Sequence, residues 1–92
     1  MIESEKDIER FLCRAVKEKG GLAIKLLTSQ MIGLPDRLCL FPIGRVVFVE
    51  VKTTGQKPRK IQAYVHKQLM RLGFRVKVID STKGVIDLCN EY

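Results

Sequence analysis

The 92-residue chain holds a single histidine and three cysteines, and none of these falls at a metal-ligating spacing. His66 has no second histidine to share a cation with, which argues against a zinc site. It reads as a surface or helix-packing residue. Cys13, Cys39 and Cys89 are odd in number and lack a C-x-x-C spacing, so they read as reduced residues in or near the core of a cytosolic protein. A glycine-rich phosphate loop of the Walker type is missing, and no nucleotide cofactor is expected. No strand is rich in aromatic residues of the kind that stack single-stranded bases, and Tyr64 and Phe74 are assigned to the core. The longest apolar run is far too short to span a bilayer, and charges begin at Glu3, so no signal peptide is expected. No membrane partner is expected, and the location implied is cytoplasmic. Acidic residues are scarce as well: 10 Asp and Glu against 17 Lys and Arg leave a charge of +7 and a pI near 9.6. Such a balance suits a polyanion, with nucleic acid first and a membrane surface second.

What is present is enough for one small globular domain over residues 1–92, without repeats, linkers or low-complexity runs. A chain of this length buries about 60–65% of its unfolded surface, so pairing with a second copy would help it. Ser4 with Asp7 marks a helix start, and Ile8, Leu12, Ala15 and Val16 recur at helical spacing until Gly20–Gly21. A strand is predicted over Leu22–Thr28 and a loop over Ser29–Pro35. Strands over Asp36–Phe41 and Arg45–Lys52 are joined by the tight Pro42-Ile43-Gly44 turn. The polar, basic stretch TTGQKPRK is a loop. Ile61, Val65, Leu69 and Leu72 mark a second helix closed by Gly73, and a strand over Phe74–Ile79 follows, with a short helix over Ser81–Leu88. The order is αβββαβ with a final helix, an α/β fold with a mixed four-stranded sheet flanked by helices.

One segment does not fit a buried strand. In VVFVEVKTTG, Glu50 and Lys52 interrupt an apolar run, and a charge in such a place is costly unless it is paired or bound. Alternation puts Val46, Phe48, Glu50 and Lys52 on one face. If the hairpin pairs Phe41 with Arg45, Asp36 falls opposite Glu50. Two carboxylates so placed repel unless a cation lies between them, and Mg²⁺ or Mn²⁺, which takes carboxylate oxygens and keeps several waters, fits. Lys52 lies one strand repeat further on, where an ammonium serves an attacking water or the charge on a phosphate. The same spacing suits an ordinary Asp36–Lys52 or Glu50–Lys52 ion pair, and these residues alone leave both readings open.

GLPD at Gly33–Asp36, FVEVK at Phe48–Lys52 and Gln62 at the head of the second helix, in this order of elements, closely resemble the virus-type replication-repair nuclease (VRR-NUC) domain. That domain is a branch of the PD-(D/E)XK nuclease superfamily, and the resemblance runs from the first helix to the fourth strand. It implies a restriction-endonuclease-like core and a Mg²⁺- or Mn²⁺-dependent endodeoxyribonuclease. Asp36 and Glu50 would hold the metal with the backbone carbonyl of Val51, Lys52 would be the catalytic lysine, and Gln62 would lie beside the active site, touching DNA or the lysine. A glutamate of the first helix would complete the site: Glu5 matches its place best, with Glu9, one turn on, as the alternative. Lys25 fits a basic position of the family. Lys57, Arg59 and Lys60 in the loop before the second helix suit DNA phosphates. Small members of this family resemble Holliday-junction resolvases, so the expected partner is a DNA four-way junction cut by a homodimer. A flap or single-strand nuclease and a non-catalytic DNA-binding module are the alternatives. A phage-encoded member would work in the host cytoplasm.

Overall fold

A computed structural model describes residues 1–27 and 30–92. Helix α1 spans Glu5–Glu18, strand β1 Leu22–Lys25, β2 Arg37–Phe41, β3 Arg45–Val51, helix α2 Lys60–Arg71, strand β4 Arg75–Ile79 and helix α3 Thr82–Asn90. The strands form one sheet in the order β1-β2-β3-β4, antiparallel across the first three and parallel between β3 and β4, with α2 as the crossover. The α/β fold and mixed sheet read from the sequence are the ones observed. No helix among the described residues is long and apolar enough to cross a membrane.

Local chemistry explains the boundaries. Ser4 Oγ accepts the Asp7 N–H at 3.1 Å, and Glu5 and Asp7 place negative charge in the first turn of α1, where the helix dipole favours it. Ile8, Leu12 and Val16, one helical turn apart, are wholly buried against the sheet. Ser81 Oγ likewise caps α3 through the Gly84 N–H. Between β2 and β3 the chain turns through Pro42–Gly44, with Gly44 at φ +76° and, beside it, Ile43 at φ +59°. A β-branched residue in the left-handed region is strained, and Ile43 is 89% exposed with nothing to offset that cost.

Helices α1 and α3 pack together on one face of the sheet. The core between them and the sheet contains Cys39, Phe41, Val47, Val49, Val51, Ile79, Val85 and Leu88. All three cysteines are free, with Cys39 and Cys89 buried and Cys13 partly so, in line with reduced core residues. On the other face α2 lies over β4 and reaches the end of β3 through its first turn.

Three expectations change. First, β1 ends at Lys25 and is an edge strand, so Lys25 lies at the rim of the sheet rather than within it; Thr28 and Ser29 lie outside the described residues. Second, the face that α2 turns inward is Gln62, Val65 and His66, with Leu69 half-buried, while Ile61 and Leu72 are exposed. The inward stripe is displaced by one residue because two of its positions are polar. Third, that rotation leaves Tyr64 exposed, and Phe74, ahead of β4, only meets Phe48 edge-on at 5.6 Å between ring centroids. Neither ring is core.

Candidate active site

The hairpin register is Phe41 opposite Arg45, continuing through Leu38–Phe48 to Arg37–Val49. One further step would set Asp36 against Glu50, but β2 stops at Arg37. Asp36 turns its carboxylate into the vacated ladder position instead, where Oδ2 accepts the Val51 N–H at 2.9 Å. The backbone of Asp36 is fixed too, since its carbonyl accepts the Leu26 N–H at 2.9 Å. The preceding loop is held by Gly33 at φ +98°, and a Cβ there would come within 2.8 Å of the Ile61 carbonyl oxygen and 2.9 Å of Val65. Only glycine lets the GLPD segment lie directly on α2. The motif is thus a physical fit: glycine presses the loop against the helix, and Asp36 caps β3 at the site.

Glu50 is 1% exposed. Its Oε2 is shared by Gln62 Nε2 at 3.0 Å and Lys52 Nζ at 3.3 Å. Its Oε1 is buried with no partner. Burial, followed by the Asp36 charge, raises the Glu50 pKa above the usual carboxylate range; Lys52 opposes the shift, and Glu5 adds to it. A buried, half-satisfied carboxylate beside a second carboxylate is a poor arrangement without a cation and a good one with it.

The donor set therefore fits a hard divalent ion held by one or two carboxylates, backbone and water. Among the described residues no three or more His, Cys, Asp or Glu side chains converge as a closed cage, which is unlike a structural zinc or calcium site.

Gln62 sits on the opening turn of α2, where its Oε1 also accepts the Arg59 N–H at 2.9 Å. One amide thus caps the helix and orients Glu50, so its partner is the carboxylate rather than the lysine. The first helix is tied to the site by Thr53 and Thr54, which follow Lys52: Thr53 Oγ accepts the Glu5 N–H, and Thr54 exchanges hydrogen bonds with Glu3. Glu5 is exposed at this junction, near enough to bear on Glu50. Glu9 is otherwise engaged, because Arg37 Nε and Nη2 both reach its Oε2 at 2.8 Å. Arg37 also donates to the Ala23 carbonyl, so this ion pair fastens α1 to β1 and β2. Lys25, paired with Arg37 across the strands, lies on the α1 side of the sheet, opposite the face of Glu50. Lys57, Arg59 and Lys60 are exposed, immediately before and at the start of α2, whose first turn carries Gln62.

The residue read from the sequence as a surface or helix-packing histidine is a packing one, and it lies beside this cluster. His66 is 4% exposed, one turn beyond Gln62 on the same face of α2, and its Nε2 has no partner. Burial and the Lys52 ammonium lower its pKa, and the Asp36 charge opposes them. The i, i+4 spacing from Gln62 was the available signal.

No family profile matches the chain. A phage protein described as "Putative nuclease p44", from Acyrthosiphon pisum secondary endosymbiont phage 1, is 42% identical over 77 residues, covering 84% of this chain and 83% of that protein. A solved structure described as a VRR_NUC domain superposes with a TM-score of 0.89 at 30% identity, over 98% of this chain and 99% of the other. That solved domain and the chain share sequence and backbone over nearly the full length of both, which places the chain in the VRR-NUC family of nucleases.

Proposed function

We propose that this nuclease is a Mg²⁺- or Mn²⁺-dependent DNA endonuclease that resolves four-way junctions as a homodimer. The observation that carries the metal-dependent reading is Glu50: buried, with Oε1 unpartnered, beside Asp36 and Lys52. Asp36 and Glu50, with the Val51 carbonyl and Glu5 alongside, are the residues that would hold the ion. When bound, the ion would supply Lewis acidity to a phosphate oxygen and lower the pKa of a water.

The chain's own part is positioning and charge. Gln62 holds the Glu50 carboxylate in one orientation. Lys52, whose side chain is 15% exposed, brings an ammonium beside the buried Glu50 carboxylate, where it can orient the attacking water and offset charge gathering on the phosphate oxygens. Exposed Lys57, Arg59 and Lys60 would meet backbone phosphates, whereas Lys25, on the far face of the sheet from Glu50, would do so only if DNA also passes over the β1 edge. The junction and the dimer rest on the small basic chain and on symmetry, since two opposed cuts call for two sites related by a twofold axis. If phage-encoded like its relative, the enzyme would act in the host cytoplasm.

A labelled immobile four-way junction, a flap and a plain duplex, each incubated with Mg²⁺, Mn²⁺ or EDTA and with wild type or Lys52→Ala, tests this reading. The expected result is paired, metal-dependent nicks on the junction that Lys52→Ala loses. Cutting of the flap alone would replace the junction by a flap substrate. Binding without cutting under any metal would leave a DNA-binding module. Light scattering that shows only monomer, with and without DNA, would remove the resolvase.

A further inference from the structure

The positive charge of the molecule is unevenly spread. Between Glu50 and Asp80 the sequence holds eight Lys and Arg residues and no acid. Helix α1 balances four acidic residues with four basic ones, Asp7 and Arg10 lying 4.0 Å apart, and α3 sets Lys83 against Asp87 at 3.0 Å. Helix α2 carries Lys60, Lys67 and Arg71 and no acid. All three are exposed, and none is in an ion pair among the described residues. At i, i+7 and i+11 they fall within about 40° of one another around the helix axis, on the side away from Gln62, Val65 and His66. The arrangement is unfavourable to the helix itself. Lys60 sits in the first turn, where the dipole favours an acid, and Lys67 and Arg71 are like charges four residues apart. Only Arg71, in the last turn, gains from the dipole.

Resting on the nuclease reading of the site, we infer that the outward face of α2 is a second DNA contact: Lys60, Lys67 and Arg71 form a track along which a duplex arm lies as it leaves the active site. The helix opens beside Glu50, which Gln62 Nε2 reaches at 3.0 Å. As the crossover between two parallel strands it then runs back along the sheet, away from that carboxylate, to the start of β4 beside Val47. Lys67 and Arg71 stand about 10 and 16 Å beyond Lys60 along the helix axis, the length of about three to five base-pair steps. A line of unpaired cations on this scale matches a row of backbone phosphates, whereas one small anion would engage a single side chain. An anionic bilayer attracts the same charges, but binding there draws on an apolar helix face, and α2 turns Val65 and Leu69 towards the sheet. One face of the helix therefore orients Glu50 while the opposite face holds the arm.

The test reads binding rather than cutting. Fluorescence anisotropy of a labelled four-way junction, a flap and a plain duplex is followed with the full chain across a salt series, in EDTA and again with Ca²⁺. Lys67→Gln with Arg71→Gln removes two charges and keeps good helix formers. On the DNA that wild type binds most tightly, this double variant should raise Kd by about 10–50-fold at 0.1 M salt and make the slope of log K against log salt shallower by about 1.8. Its melting temperature should stay within a few degrees of wild type. Lys6→Gln with Arg14→Gln takes the same charge from the exposed side of α1 and should leave the slope within about 0.5. A run of neutral methylphosphonates walked along one arm should, at one position, weaken wild type and leave the α2 variant unaffected. The inference is overturned if the α2 variant keeps the wild-type Kd and slope, or if the α1 variant loses as much. It also falls if wild type binds none of the three DNAs, or if phosphatidylserine vesicles, and not DNA, lose their hold on the α2 variant. Losses confined to the α2 variant, in a protein that cuts none of these DNAs with Mg²⁺ or Mn²⁺, would sink the nuclease reading and leave the track standing.

Discussion

The two faces of the sheet are built to different rules. Under α1 and α3, the inward residues of β3 beyond Arg45 are all valine, and Val47, Val49 and Val51 meet Ile8, Leu12, Val16 and Leu88 in a dry, close-packed layer. Under α2, the alternate residues of the same strand are Val46, Phe48 and Glu50, and the helix answers with Gln62 and His66. One strand thus carries a face that stabilises and a face that holds an unsatisfied carboxylate and an unsatisfied imidazole. Polar groups buried without full partners cost stability, so a sequence keeps them where they act. The contrast is open to experiment because substitutions on the two faces should fail in opposite ways.

Lys52→Ala should give the largest effect. Loss of a positioned cation at a reacting phosphate typically lowers the rate by about 10³-fold, close to 4 kcal/mol of barrier, while the melting temperature should stay within a few degrees of wild type. Leu12→Ala, on the opposite face, should do the reverse. A wholly buried leucine with no room to collapse costs about 3 kcal/mol when cut to alanine, which in a chain of this size lowers Tm by roughly 12–24 °C. Below its own Tm, the surviving folded fraction should cut DNA at the wild-type rate per molecule. Calorimetry beside single-turnover cleavage would check both. A Lys52→Ala protein that melts as early as Leu12→Ala would erase the distinction between the faces.

This division also decides what could be read without a structure. The α1 face is legible nearly to the residue, because Ile8, Leu12 and Val16 keep a clean helical period and the valines of β3 keep a clean alternation. The hairpin register assumed from the short turn, Phe41 opposite Arg45, is the one observed. On the site face the motif residues Asp36, Glu50, Lys52 and Gln62 are legible as a pattern, but how they meet is not. Asp36 reaches the Val51 amide by ending β2 early, a side-chain-for-backbone exchange that alternation does not encode. The rotation of α2 is hidden for the reason that makes it functional. Gln62 and His66 occupy inward positions, so counting apolar residues shifts the stripe onto Ile61 and Leu72 and sends Tyr64 and Phe74 into the core. Glu5 fits the family's place better than Glu9 in the sequence, and the structure widens the difference, because the Arg37 guanidinium on β2 engages Glu9.

The rim of the site face offers a smaller effect. Lys57, Arg59 and Lys60 stand in solvent, where single charges contribute little to folding. Replacing all three with alanine should leave Tm almost unchanged and make the dependence of log K on log salt shallower, by about 0.9 for each phosphate of a duplex arm that is no longer neutralised. Fluorescence anisotropy across a salt series would give the slope. An unchanged slope would mean that DNA approaches by another surface, with Lys25 the next cation to replace.

The smallest expected effect tests the cost of the site directly. In the metal-free protein the Glu50 pKa lies above that of the unfolded chain, chiefly through burial and then through Asp36. As pH rises from the ordinary carboxylate range towards that raised value, the unfolded chain has already lost its proton while the folded chain keeps its own. The folded state therefore binds more protons than the unfolded state across this window, and stability falls as pH increases through it. Glutamine cannot ionise and still presents an oxygen to Lys52 and Gln62. Glu50→Gln should then match wild type below the window and melt at a higher temperature than wild type above it. Saturating Mg²⁺ should close the gap by stabilising wild type, which holds a carboxylate for the ion, more than the glutamine variant. Thermal melts at acid and alkaline pH, with EDTA and with Mg²⁺, make the comparison. If Glu50→Gln were less stable at every pH, the ion pair with Lys52 would outweigh the burial of the charge, and the two faces of the sheet would differ in chemistry without differing in cost.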